Sequence, residues 1–164
     1  MHLTVVLSLV MMASLFLMLY AAVALVQDKR LFTSAPKDIQ SAVQPKLERF
    51  PGAHVLGWLL LVFAVLLFVG TIICGGWDGV RNGFSFRHFF CRFLFMLVSL
   101  KAFDVLVLDW FLLCHSRFFP HYYPEVSDLV GPHLFGFNWR SHLLHLLVFL
   151  PVSAVIARIC TLFS

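Results

Sequence analysis

The chain has 164 residues, of which 61% are hydrophobic, 16% aromatic and 12% charged, with a formal net charge of +4 and a mean hydropathy of +0.93. Ordinary soluble domains carry roughly 25% charged residues, so a water-soluble fold is excluded, and the length suits one domain. The excess of positive charge lies mainly in the connections between apolar runs, where it fits an anionic membrane surface and not nucleic acid.

Four apolar runs dominate: Leu3 to Val26, Val55 to Cys74, Phe93 to Cys114 and Leu143 to Phe163. Each is close to the ~20 residues that an α-helix needs to cross a ~30 Å hydrocarbon layer. They are continuous Leu/Val/Phe stretches without the period-2 alternation of barrel strands. The expectation is an all-α polytopic four-helix bundle with spans at about 3–26, 53–75, 91–114 and 141–163. Only Met1 and His2 precede the first run, which lacks a basic n-region and exceeds the 7–15 apolar residues of a signal sequence. A retained first helix is therefore expected.

The connection Gln27 to His54 is the most polar part of the chain, with Lys29, Arg30, Lys37, Lys46 and Arg49 among Asp28, Asp38 and Glu48. Its centre, from Ser34 to Gln40, reads as a cap and a short helix, with Pro36 at the first helical position and Asp38 in the first turn; Pro45 ends it. The second connection, Gly75 to Gly83, holds four glycines and predicts a tight turn, with Trp77 at the interface. After it come Arg87, His88 and Arg92 among phenylalanines, a basic aromatic rim suited to anionic lipid headgroups or to an ordinary interfacial belt.

The third run carries Lys101, Asp104 and Asp109. Counted from Phe93 at 1.5 Å per residue, Lys101 lies roughly 12 Å deep and Asp104 roughly 17 Å deep. A central charge costs about 2.5–3.5 kcal/mol on insertion scales, so these side chains should face the bundle interior and pair. Lys101 reaches Asp104 one turn away, whereas Asp109, two turns on, needs another partner. The set reads either as an ion pair that fixes packing or as an intramembrane site for a proton, an ion or a polar headgroup.

The third connection, His115 to Arg140, interleaves Phe118, Phe119, Tyr122, Tyr123, Phe135, Phe137 and Trp139 with histidines and prolines, a composition of the headgroup level. Alternation of sides places His54, His115, His121, His133, His142 and His145 on one membrane face. His142 and His145, three apart on one helix face, together with His115, are the residues able to hold a metal or haem iron. No HExxH, histidine tract or matched histidine pair accompanies them, so no cofactor is expected, and metal or haem is the lesser reading. Cys74, Cys91, Cys114 and Cys160 are widely spaced without a CxxC, the pattern of embedded apolar thiols. Arg140 and Arg158 flank the fourth run as snorkelling anchors.

The first and third connections carry five and two Lys/Arg, against none at the N-terminus and two, Arg81 and Arg87, between the second and third spans. The bias predicts a cytoplasmic-membrane protein with both termini outside. The stretches LFTSAPKDIQSAVQPKLERFPGAHVLGW, GWDGVRNGF and KAFDVLVLDWFLLCHSRFF, with most of the chain around them, resemble a group of small bacterial integral membrane proteins without an assigned activity. That resemblance implies bacterial origin and membrane residence, and supplies no catalytic residue. In length and topology the chain is also similar to the four-span membrane-associated eicosanoid and glutathione metabolism family. Glu48 to His54 sits where that family has an arginine-containing glutathione motif. Pro51, Val55, Leu56 and Gly57 depart from the pattern, so no glutathione contact is carried over. Without a catalytic motif, the leading expectation is a non-enzymatic component that binds lipid, a membrane-protein partner or a second copy of itself through its basic first and aromatic third connections. The alternative is an embedded enzyme or small carrier built on the Lys/Asp set and the histidine-rich face.

Overall fold

The computed structural model describes residues 2–31, 37–44, 46–129 and 138–164. Every regular element among them is helical. Helix α1 spans His2–Tyr20 and continues as a π-helix over Ala21–Val26; a 3₁₀ turn at Lys29–Leu31 and the short α2, Lys37–Ala42, follow. Helix α3 is Ala53–Arg81, and α4, Phe86–Phe103, continues as a π-helix over Asp104–His115. The short α5, Phe118–Tyr122, a 3₁₀ turn at Pro124–Val126 and α6, Trp139–Thr161, complete the order. Among the described residues, three stretches are long and apolar enough to cross a membrane: His2–Val26, Ala53–Arg81 and Trp139–Thr161.

These helices are inverted relative to those of a soluble protein. Along α3 the buried positions include Ala53, Gly57, Ala64, Thr71, Gly75 and Gly79, small residues four or seven apart on one stripe. Its exposed face carries Val55, Leu59, Phe63, Leu66, Ile73 and Trp77. Lipid gives no hydrophobic reason to bury Leu or Phe, whereas small residues let helices approach closely, so small-in and large-out is the arrangement of a membrane helix. Helix α1 shows it in part: Ser8 and Ser14 are buried beside Leu7 and Met11 and bond back to the carbonyls of Thr4 (2.9 Å) and Met11 (2.7 Å), while Val6 and Leu9 face outward.

The chain divides into two compact units. Unit one comprises residues 1–14, 66–104 and 138–164. Its core is where α4 packs on α6, with Phe89, Phe93, Met96 and Leu100 buried at helical spacing. The expected turn at Gly75 to Gly83 is corrected here. Helix α3 runs through these glycines to Arg81, and Asn82 and Gly83 (φ 61°) make the turn. The reason is packing: Gly75 and Gly79 lie under the rings of Phe93 and Phe89, and that contact outweighs the ~1 kcal/mol that each helical glycine costs.

Unit two comprises residues 15–65 and 105–137. At its centre the π-helix over Ala21–Val26 packs against α5. Gly57 admits this backbone, because a Cβ there would stand 2.7 Å from Val26 Cγ2. Ile39 of α2 is fully buried, and the Asp38 carboxylate accepts the Ile39 N–H at 2.9 Å. The expected cap residues Ser34 to Pro36, and Pro45, lie outside the described residues.

Candidate functional site

In unit two the first and third connections, far apart in sequence, are joined. Lys46 Nζ donates to the carbonyl of Tyr122 (2.7 Å), pairs with Glu125 Oε2 (3.0 Å) and sits 4.7 Å from the centre of the Tyr123 ring. The Gln44 N–H donates to Glu125 Oε1 at 3.4 Å. Arg49 stacks over Tyr122 at 5.1 Å and reaches His121 Nε2 at 3.5 Å. Burial opposes ionisation of Glu125, yet the backbone N–H groups and the Lys46 ammonium around it prevail, and its carboxyl is held below the ordinary glutamate value. Burial, reinforced by Glu125 and Asp28, pushes the Tyr123 phenol well above the ordinary tyrosine range, so it stays protonated. The result is a basic, aromatic surface with Arg30, Lys37, Arg49, Arg117 and His121 exposed.

Among the sequence-nominated residues, Lys101 and Asp104 form the expected pair, Nζ to Oδ2 at 2.6 Å. Across the contact between α4 and α6, a ring nitrogen of His142 comes within 4.8 Å of an Asp104 oxygen. Lys101, Asp104 and His142 thus make one polar group in unit one. His145, one turn beyond His142, is exposed. Asp109 and His115 belong to unit two; Asp109 is half-buried, and the His115 Nδ1–H donates to the Trp110 carbonyl at 2.9 Å. Winding changes at Asp104, so the placing of Asp109 at 100° per residue does not carry through the π-helix. His133 lies outside the described residues.

Of the rim residues, Arg87 and His88 are exposed and Arg92 is buried. The Arg92 guanidinium pairs with Asp78 at 2.8 Å, donates to the Gly75 carbonyl at 2.6 Å and stacks on Phe84 at 4.5 Å. It is thereby committed to holding α3 against α4, whereas Arg87 and His88 remain exposed. Beside it is a mostly apolar cavity of ≈ 360 Å³, lined by Thr4, Val5, His88, Cys91 and Phe95 as well as Phe84 and Arg92.

Two features escaped sequence reasoning. Asp78 was hidden by reading its glycine-rich surroundings as a turn; Gly75 and Gly79, four apart and therefore on one helix face, were the available signal. The Lys46 junction has no sequence signal, because nothing local specifies a partner 79 positions away. Comparison with protein-family models, curated proteins and solved structures finds no match to this chain.

Proposed function

We propose that the chain is a four-span protein of a bacterial cytoplasmic membrane that acts without catalysis, binding anionic lipid headgroups on the joint surface of its first and third connections. The observation that carries this reading is the Lys46 junction. It gathers the basic residues of one connection and the aromatic residues of the other into one surface with Arg49 over Tyr122. Fixed cations beside amphipathic rings suit a phosphate plane bordering apolar chains.

The test is lipid retention by the full-length protein in detergent, equilibrated with equal phosphatidylglycerol and phosphatidylethanolamine and measured by native mass spectrometry. Preferential retention of phosphatidylglycerol is expected, with the preference reduced in Lys37→Gln/Arg49→Gln. Equal retention of the two lipids would sink the reading, and a stoichiometric co-purifying protein would favour a protein partner in its place.

A second reading, proton or ion handling, is supported by the Lys101–Asp104–His142 group, since ionisable residues in apolar helices cluster on transport paths. It predicts proton or cation flux in proteoliposomes that a folded Asp104→Asn variant lacks. Absence of flux in the wild type would leave the group as a packing device.

A further inference from the structure

A second cavity, of ≈ 440 Å³, lies within unit two where the first apolar helix ends and α3 begins. Four pieces of chain meet there: Val26 and Gln27, the turn with Asp28 and Arg30, Lys46, and His54 with Trp58 on α3. We infer that this cavity is a binding site for a phosphate group, held by Arg30, Lys46, His54 and Gln27 with Val26 and Trp58 as its apolar side. The inference rests on the lipid-binding reading for the source of that phosphate, and adds where the headgroup is seated.

The wall chemistry selects an anion. Arg30 and Lys46 line the cavity with one carboxylate, Asp28, whose Oδ1 accepts the Arg30 backbone N–H at 2.9 Å and so shapes the turn; Glu125, paired with Lys46, and Glu48, beside His54, are not among the lining residues. One carboxylate is too few for a hard divalent cation, which takes six or more oxygens. Lys46 is fixed before any ligand arrives: two of its three N–H donors go to Tyr122 and Glu125 and its ammonium lies 4.7 Å from the Tyr123 ring centre, while the residue lines the cavity. His54 turns Nδ1 toward Glu48 at 3.5 Å, while its Nε2 is buried without a partner among the described residues. A protonated ring can therefore give one N–H to Glu48 and the other to a phosphate oxygen.

Gln27 supplies an independent indication. It is the only non-glycine residue with positive φ among those described (φ 52°, ψ 29°), closing the π-helix through its N–H to the Ala22 carbonyl at 2.9 Å. Glycine is the residue such a helix-ending position favours, and another side chain there carries a conformational cost. The glutamine side chain is nevertheless present, buried and lining the cavity. Strain kept at a cavity wall points to use of the side chain. Trp58 and Val26 then offer an apolar flank where a headgroup joins its acyl chains.

The experiment is calorimetric titration of the full-length protein in detergent with two probes, inorganic phosphate and short-chain dihexanoyl phosphatidic acid. Saturable binding is expected, about tenfold weaker in Arg30→Gln, which removes a charge-assisted hydrogen bond. Gln27→Gly relieves the backbone, so it should keep or raise thermal stability while also weakening binding; this variant remains informative if Arg30→Gln fails to fold. Binding of both probes assigns the site to the phosphate group itself, and binding of the lipid alone assigns it to a headgroup with its chains. Arg81→Gln, exposed at the end of α3 in unit one and outside the cavity, should leave both titrations unchanged. Unaltered binding in folded Arg30→Gln and Gln27→Gly, or no saturable binding of either probe, overturns the site. Arg30-dependent phosphate binding without any preference for anionic lipid would keep the site and remove the lipid reading.

Discussion

Arg92 has its charge almost wholly withdrawn from solvent, its side chain 5% exposed, and Asp78 is its only ionic partner among the described residues. Removing one member of a buried pair leaves the other uncompensated, at a cost of about 3–5 kcal/mol. Because the Asp78 side chain is 29% exposed and Arg92 keeps the Gly75 carbonyl, Asp78→Asn is expected near the lower end, about 3 kcal/mol. SDS-titration unfolding of the detergent-solubilised protein measures it. A double change, Asp78→Leu/Arg92→Met, should cost less than the single one, and equal losses would show that the pair itself matters little. Glu125 gives a pH dependence at the same scale. Its folded pKa is lowered, so the unfolded chain binds more protons in acid. The stabilisation is present above the ordinary glutamate value of about 4.3 and is lost as pH falls through the still lower folded value. Hydrogen exchange over residues 44 and 46–49 should therefore quicken relative to other segments as pH falls below about 4.3, and Lys46→Ala should reduce that change.

The hairpin of α3 and α4 depends on Gly79, where a Cβ would overlap the Phe89 ring. That ring is fully buried, stacked on Phe93 at 6.5 Å and tilted against Phe84 at 5.8 Å, so it has little room to swing aside. Gly79→Ala gains up to ~1 kcal/mol of helix propensity against an overpacking cost of about 1–3 kcal/mol, and net destabilisation is expected in the same SDS titration. Phe89→Leu in the Gly79→Ala background should recover stability; if it does not, the contact is not the cause. This element also shows what sequence can reveal. The apolar runs of α1, α3 and α6 were legible from length and hydropathy alone, and the Lys101–Asp104 pair from a separation of three. Gly75 to Gly79 was not, because glycine signals a turn when read locally and a close helix contact only when its neighbour is known. The π-helix at Asp104 was likewise hidden, since its residues are those of an ordinary apolar α-helix, and so the position of Asp109 could not be set by counting.

At the scale of the whole molecule, the number of crossings turns on the stretch from Phe86 to His115, which is helical throughout but is not one of the three apolar spans. It contains Arg87, Arg92, Lys101, Asp104 and Asp109, and charges taken singly would keep it out of lipid at roughly 2.5–3.5 kcal/mol apiece near the centre. They are not single. Arg92 is neutralised by Asp78 and Lys101 by Asp104, while Arg87 lies in the first turn, within snorkelling reach of the headgroups. The intervening Phe93 to Leu100 and Val105 to Leu108 are almost entirely apolar, so paired insertion is much less costly than the raw charge count implies. A fourth crossing is the expected outcome, and it puts the N- and C-termini on one side of the membrane, outside by the loop-charge bias. Single cysteines at His2 and Ser164 in a background with the four native cysteines replaced, probed with a membrane-impermeant maleimide in intact bacterial cells, decide it. Labelling of both supports four crossings with the termini outside; labelling of one gives three and leaves the Phe86–His115 helix on the membrane surface.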